Sequence, residues 1–327
     1  MMGGIIVIKA LVKGTGLFSF GLVPGGTKFY HCVTQNMMGT MESHITKMYN
    51  IWPGIVHELK DICGISLDKV QIWEHEAGWT PFIPLLFYIT TGSGGAVVNT
   101  QIRGARILER HLEKSIHMAK EMAVNLSGIM HIPGERVDLL RRLSEKKTLR
   151  EVLDAIGCVC IEDSTPGKVP LPDRSMDVLL SGGQLEHYSP HILEAFFKEA
   201  FRILKPGGIV NITLDHRDHL YHFDKKLPFL FHYAIPDSVY KITHKSPLLY
   251  HNRLLPEEVA GMLSNCGFDK IKILRLALPD FKYVDYMDVK EGDFGIERRR
   301  LSLHFRDASD SALKTAAGKY IFRKSYN

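Results

Sequence analysis

Pro172–Leu214, PDRSMDVLLSGGQLEHYSPHILEAFFKEAFRILKPGGIVNITL, reads as a strand, a polar turn, an amphipathic helix, a Pro-Gly-Gly turn and a second strand. Met176–Ser181 is a short apolar run that ends in the small, polar Ser181-Gly182-Gly183. In the helix Leu193, Phe197, Phe201 and Leu204 recur at helical spacing, joined by Ile192, Phe196, Ala200 and Ile203, so one face is apolar. Glu194 and Lys198 form a favourable pair one turn apart. Pro206 stops the helix, and Gly207-Gly208 allow a turn before the strand Ile209–Leu214. The whole stretch is one βαβ unit.

Working outward, the same alternation continues. Lys69–His75 is a candidate first strand, followed by the turn Glu76–Pro81 and the apolar helix Phe82–Ile89. A Gly/Ser/Thr loop leads to a second strand, Ala96–Gln101. A helix over Ala105–Leu126 carries Leu108, Leu112, Ile116, Ala119 and Ala123 on one side. A helical stretch around Asp138–Ile156 precedes a short strand, Cys158–Ile161. Past the opening unit come a polar and aromatic insertion, Asp215–Asn252, the helix Pro256–Cys266 ended by Gly267, the strand Lys270–Leu278, and an edge strand, Gly318–Lys324. Repeated strand–helix alternation predicts an α/β, doubly wound, Rossmann-like fold with a mostly parallel seven-stranded sheet and an antiparallel edge strand. Residues 1–68 read as a helical N-terminal extension, or lid, with Ile45, Met48, Trp52, Ile55 and Leu59 on one face and a kink or restart at Pro53. Residues 69–327 form the main domain.

Composition bounds the function. The 327 residues are 45% hydrophobic and 24% charged, an ordinary globular balance that suits one large α/β core. A net charge of +5 is mild for this length, and no segment has the basic and aromatic density of a nucleic-acid groove. Five cysteines without a CxxC pair point to a reduced, cytoplasmic protein and away from a zinc knuckle. Lys9 and Lys13 interrupt the apolar N-terminus, so neither a signal peptide nor a membrane span is read there.

The residues of the opening unit closely resemble the second half of class I S-adenosylmethionine (SAM) dependent methyltransferases, where an "fD.v.S...lEH" strand and turn precedes "l.e..RvLkPGG". The matched positions are Met176-Asp177, Ser181, Leu185-Glu186-His187, Glu199, Arg202 and Leu204-Lys205-Pro206-Gly207-Gly208. The resemblance implies SAM as cofactor, bound at the carboxyl ends of the strands. Laid over the family's "vlEiGtGwtP", the residues Ile72–Pro81 place Glu74, Gly78, Trp79 and Pro81 in register, with Ala77 between them and Glu76 where the first glycine is expected. A side chain at 76 either crowds the methionine moiety or aims its carboxylate at the sulfonium or amino group. The acid expected at the end of the second strand is an amide here, Asn99 or Gln101, which offers ribose hydroxyls less than a carboxylate does. Asp163 and Ser164, in the loop after the third strand, fall where the family contacts adenine, and Ser181 and Gly182 at the end of the fourth.

Histidine is unevenly spread: of 16 in the chain, eight lie from His187 to His251. They include DHRDHLYHFD, Asp215–Asp224, directly after a strand expected to end at the active-site rim. Methyl transfer needs an aligned acceptor and often a base, which His216, His219 and His222, with Asp215 and Asp218, can supply near neutral pH. On a helix Asp215, His219 and His222 would share a face as a two-histidine, one-carboxylate set. A polar substrate loop explains the same residues, so no metal is assigned. The segment Tyr250–Leu254 resembles the family's "y.NRLr", and the aromatic insertion suits a lid over a small polar acceptor or a packed surface loop equally.

The resemblance thus implies a methyltransferase acting on oxygen or nitrogen of a small molecule, with natural-product or polysaccharide pathways in view. A homodimer is left open. Two other functions are compatible with the residues. One is an enzyme of the same fold that cleaves or cyclises SAM, with Glu76 beside the sulfonium. The other is a methyltransferase-like binding protein without activity.

Overall fold

The computed structural model describes residues 40–76, 80–98, 111–162, 164–219, 221, 228–243, 250–277, 282–285 and 296–326. Its sheet is built from β1 (Ile72–His75), β2 (Ala96–Val98), β3 (Val159–Ile161), β4 (Met176–Gly182), β5 (Leu204–Asp215), β6 (Phe268–Ala277), β7 (Lys282–Asp285) and β8 (Ala317–Lys324). Their order is β3-β2-β1-β4-β5-β8-β6-β7. The first five strands are mutually parallel, while β8 runs antiparallel to both β5 and β6. This is the doubly wound, mostly parallel sheet expected, with one strand more than the seven foreseen.

The antiparallel edge strand is β7, paired to β6, and not the C-terminal strand. β8 lies inside the sheet, between β5 and β6. Its side chains explain the placement: Tyr320 and Phe322 on one face and Ile321 on the other are all fully buried, a pattern an edge open to water does not need.

Side chains alternate between two cores with the strand period of two. Ile72, Val97, Val178, Leu180, Ile209 and Ile321 face one core, with α1 (Thr40–His57), α2 (Phe82–Thr91), α3 (Leu112–Leu126) and α4 (Gly134–Leu143) packed above them. Trp73, Val98, Leu179, Val210, Ile212 and Phe322 face the other, covered by α6 (Pro190–Ile203) and α9 (Pro256–Asn265). The Ile45–Leu59 stripe is buried as its spacing requires. The helix runs through Pro53 without a break and widens into a π turn, Glu58–Ile62. From there Glu58 accepts from Asn211 Nδ2 at 2.9 Å and from Lys319 Nζ at 2.6 Å, which ties the helix to β5 and β8.

The stretch around Asp138–Ile156 is two helices, α4 and α5 (Leu149–Ala155), separated where Thr148 and Glu151 form a reciprocal capping box. In the opening unit, Ser189 caps α6 and Pro190 starts it. The helix ends at Ile203, one residue before the last expected member of its apolar face. Pro206 has no N–H to donate to residue 202 and restricts Lys205 before it, so Leu204 joins β5 opposite Met176. Gly207 turns the chain at φ 76, where an added Cβ would lie 2.7 Å from the Tyr326 ring.

The insertion also forms structure. Its described residues include α7 (Phe231–Ala234) and α8 (Asp237–Thr243), and Leu230 and Tyr233 share a third small core with Leu255, Leu301, Phe305 and Leu313. Arg253 lies over the rings of Tyr240 and Phe305, at 4.3 and 4.8 Å, and pairs with Asp237. No disulfide occurs among the described residues, and no helix there is long and apolar enough to cross a membrane.

Candidate functional site

Strand order reverses between β1 and β4, and ligands of open α/β sheets sit in the crevice outside the carboxyl ends at such a point. Here β1 ends at His75, β4 at Gly182 and β5 at Asp215. Glu74, Glu76, Ser181, Gly182 and Asp215 are thus gathered along one rim.

Glu74 is buried, 5% exposed, and has no hydrogen-bond partner among the described residues. Desolvation alone pushes its carboxyl up to about 8. Glu76 adopts φ 62, the left-handed backbone that a glycine would enter freely, and its N–H donates to the Val98 carbonyl at 2.6 Å. The side chain turns inward. The Tyr188 hydroxyl donates to Glu76 Oε1 at 3.1 Å and accepts from His75 Nε2 at 2.8 Å. Burial holds His75 neutral, with its pKa down to about 3. Of the two orientations considered for Glu76, the structure has the carboxylate held by Tyr188, in a side chain 4% exposed.

Ser181 is buried with its hydroxyl unpartnered among the described residues. Ser164, after β3, is likewise unpartnered and lines a cleft of about 690 Å³ with Thr165, Lys168 and Arg202. Ala77, Gly78, Trp79, Asn99, Gln101, Asp163 and His222 lie outside the described residues.

Beyond β4 and β5 the histidines separate by role. The register Gly182↔Thr213 sets the segments that follow the two strands side by side. His216, 1% exposed, donates through Nδ1 to the Leu254 carbonyl and accepts at Nε2 from the Tyr320 hydroxyl. Both ring nitrogens are engaged, which makes it a clamp between the end of β5, β8 and the 250–255 segment. Desolvation takes its pKa down to about 4. His251 is engaged in the same way, with Nε2 toward the Asp215 carbonyl and Nδ1 accepting from the Arg253 N–H. Asp215 receives both the side chain and the backbone N–H of Arg217. The chain from Asp215 to His219 is not helical, so the shared face expected of Asp215 and His219 does not form.

His219 meets a different partner. Its ring centroid lies 4.7 Å from that of His187 and 5.3 Å from that of His251. Glu186, His187 and His219 each present one ligand-type atom within 4.8 Å of the other two. His187 Nδ1 is 2.9 Å from the Tyr250 carbonyl, an acceptor only, so that nitrogen carries the proton and Nε2 keeps its lone pair. Burial lowers the pKa of His187. Glu186 is 3% exposed, and burial with the nearby Asp215 charge raises its carboxyl to about 8. Glu186 and His187 stand in the resembled "lEH" motif, yet nothing in their own neighbourhood announces His219, which lies 32 residues beyond His187.

Residues 133–212 match the methyltransferase domain family. That segment, about a quarter of the chain, is similar to a methyltransferase domain. The matched segment runs from α4 into β5 and leaves out β1 and β2, the half where the cofactor motifs depart from the family pattern. No curated protein matches the chain. Among solved structures, phosphoethanolamine N-methyltransferase 2 of Haemonchus contortus, in complex with SAM, is 14% identical with a TM-score of 0.43, covering 84% of this chain and 53% of that one. A SAM-dependent methyltransferase of Methanosarcina mazei is 14% identical with a TM-score of 0.40, covering 80% and 95%.

Proposed function

We propose that this chain uses SAM to methylate an oxygen or nitrogen of a small polar molecule. The observation that carries the reading is Glu74. A buried carboxyl without a hydrogen-bond partner among the described residues, at the reversal of strand order, is a receptor for a cationic group. SAM brings an ammonium and a sulfonium. A charged donor there would restore the ionised form that burial disfavours. Ser181 and Gly182 line the same rim and offer a hydroxyl and a close backbone approach, and Ser164 belongs to the adenine side.

The acceptor lies on the β4–β5 side, beside His219, which positions it or takes its proton. Asp215, paired with Arg217, shapes the field around that group. The SAM-cleaving alternative rested on Glu76 facing the sulfonium. With that carboxylate bound to Tyr188, no observation favours it.

Calorimetry with SAM and S-adenosylhomocysteine tests the reading. Micromolar binding is expected, weakened at least about tenfold in Glu74→Gln, in line with the loss of a charge-assisted contact. Absence of binding by either ligand would leave a methyltransferase-like protein without the chemistry. Mass analysis of SAM incubated with the protein alone should recover it intact.

A further inference from the structure

The geometry points to a divalent-cation site formed by Glu186, His187 and His219, an inference that rests on the methyltransferase reading for its role and on the side chains themselves for its existence. Three ligand-type atoms, one from each residue, lie within 4.8 Å of one another. Cis ligands around a first-row dication with bonds of about 2.1 Å stand roughly 3.0–3.5 Å apart, so side-chain shifts of about 1 Å close the set. Such shifts are small for His219 in a loop and for two residues on a short 3₁₀ turn, Leu185–His187.

A second observation is independent of that spacing. Glu186 Oε2 is buried and receives no hydrogen bond, an arrangement that is costly for a carboxylate oxygen unless a cation or donor meets it. The imidazole opposite is also prepared. The Tyr250 carbonyl fixes the His187 tautomer and leaves Nε2 as the ligand, the arrangement by which metal-binding histidines are commonly oriented. His251 stands behind His219 with both its nitrogens engaged, so it buttresses the ring and does not compete for the ion.

Two imidazoles and one carboxylate suit zinc, manganese, cobalt or iron(II) better than magnesium or calcium, whose preferred donors are all oxygen. Three protein ligands leave coordination positions open toward the rim. An acceptor that carries an oxygen donor, a hydroxyl or carboxylate next to the atom to be methylated, fills one of them. His219 then acts through the ion and has no lone pair left to serve as a base.

The test is a titration of the full-length protein, stripped with EDTA, with Mn²⁺, Zn²⁺ and Co²⁺ salts alone, followed by equilibrium dialysis and, for Co²⁺, visible absorption. One equivalent per chain is expected for at least one ion, with affinity reduced about tenfold or more in Glu186→Gln and in His219→Ala and unchanged in His117→Ala, an exposed histidine on α3. Added metal should also raise Tm in the parent chain and not in Glu186→Gln, with circular dichroism confirming that each variant is folded. Binding of only a small fraction of an equivalent by all three ions, or equal affinity in the folded Glu186→Gln and His219→Ala variants, overturns the site. Calorimetry with S-adenosylhomocysteine on the same metal-free sample reads the cofactor separately. Cofactor binding without metal binding sinks only the cation site, and the converse sinks only the methyltransferase reading.

Discussion

The hydroxyl of Tyr188 donates to the carboxylate of Glu76 at 3.1 Å across 112 residues of chain. One phenol thereby joins the turn after β4 to the turn after β1, and in doing so settles where an acidic side chain on a left-handed backbone goes. Replacing it by Tyr188→Phe leaves His75 without an acceptor and Glu76 without that donor. A loss of about 1–3 kcal/mol is expected, read from the shift in urea midpoint at constant slope.

Glu76→Gly separates strain from bonding. It removes a non-glycine side chain at φ 62, worth about 1 kcal/mol, and also removes the Tyr188 contact, worth a similar amount. Stability close to the parent is expected, with S-adenosylhomocysteine binding retained. A collapse of binding would show that the Glu76 carboxylate serves the ligand directly.

The Lys319–Glu58 ion pair, 2.6 Å long with both side chains mostly buried, anchors the first helix to the sheet. Lys319→Met strands the carboxylate, and a loss of about 3 kcal/mol is expected by chemical denaturation. The double variant Glu58→Gln/Lys319→Met should recover roughly half of it, because no unpaired charge remains.

Stability is expected to peak near pH 6.5. His75 and His216 stay neutral when folded, with pKa values of about 3 and about 4, whereas the unfolded chain takes up both protons below about 6.5. Acid therefore favours unfolding. Glu74 works in the other direction: folded, it keeps its proton to about pH 8, while the unfolded chain releases it near 4.5, so stability falls as pH rises through that window. Glu186, also raised to about 8, acts in the same sense as Glu74, and His251, lowered to about 3, joins His75 and His216, so between 4.5 and 6.5 three histidines outweigh two acids. Glu74→Gln should raise Tm by a few degrees at pH 8 and leave it nearly unchanged at pH 4.5, in thermal scans at matched ionic strength.

Arg253→Lys is expected to loosen the insertion core. The planar guanidinium over Tyr240 and Phe305 is lost to an ammonium that cannot stack, at a cost of about 1–2 kcal/mol. Faster hydrogen exchange confined to residues 228–243 and 296–313 would report it.

Much of the architecture was legible because it is written in local spacing. The Pro172–Leu214 unit, the Ile45–Leu59 stripe and the Phe82–Ile89 run declare their faces through periodicity, and Pro206 declares where α6 ends. Two further local signals lie in the sequence. Thr148-Leu149-Arg150-Glu151 is a capping box that divides the 138–156 stretch. Tyr320-Ile321-Phe322, apolar on both faces, marks β8 as interior.

The site divides along the same line. That Glu186 and His187 follow β4, and that a histidine-rich segment follows β5, is fixed by the order of residues alone. That His219 reaches His187 while His216 and His251 turn to carbonyls and a hydroxyl, and that Glu76 is held by Tyr188, was decided by tertiary structure. The physical reason is the register of two parallel strands joined through a helix. It brings residues from separate turns together, and backbone carbonyls then engage a ring nitrogen each of His187, His216 and His251.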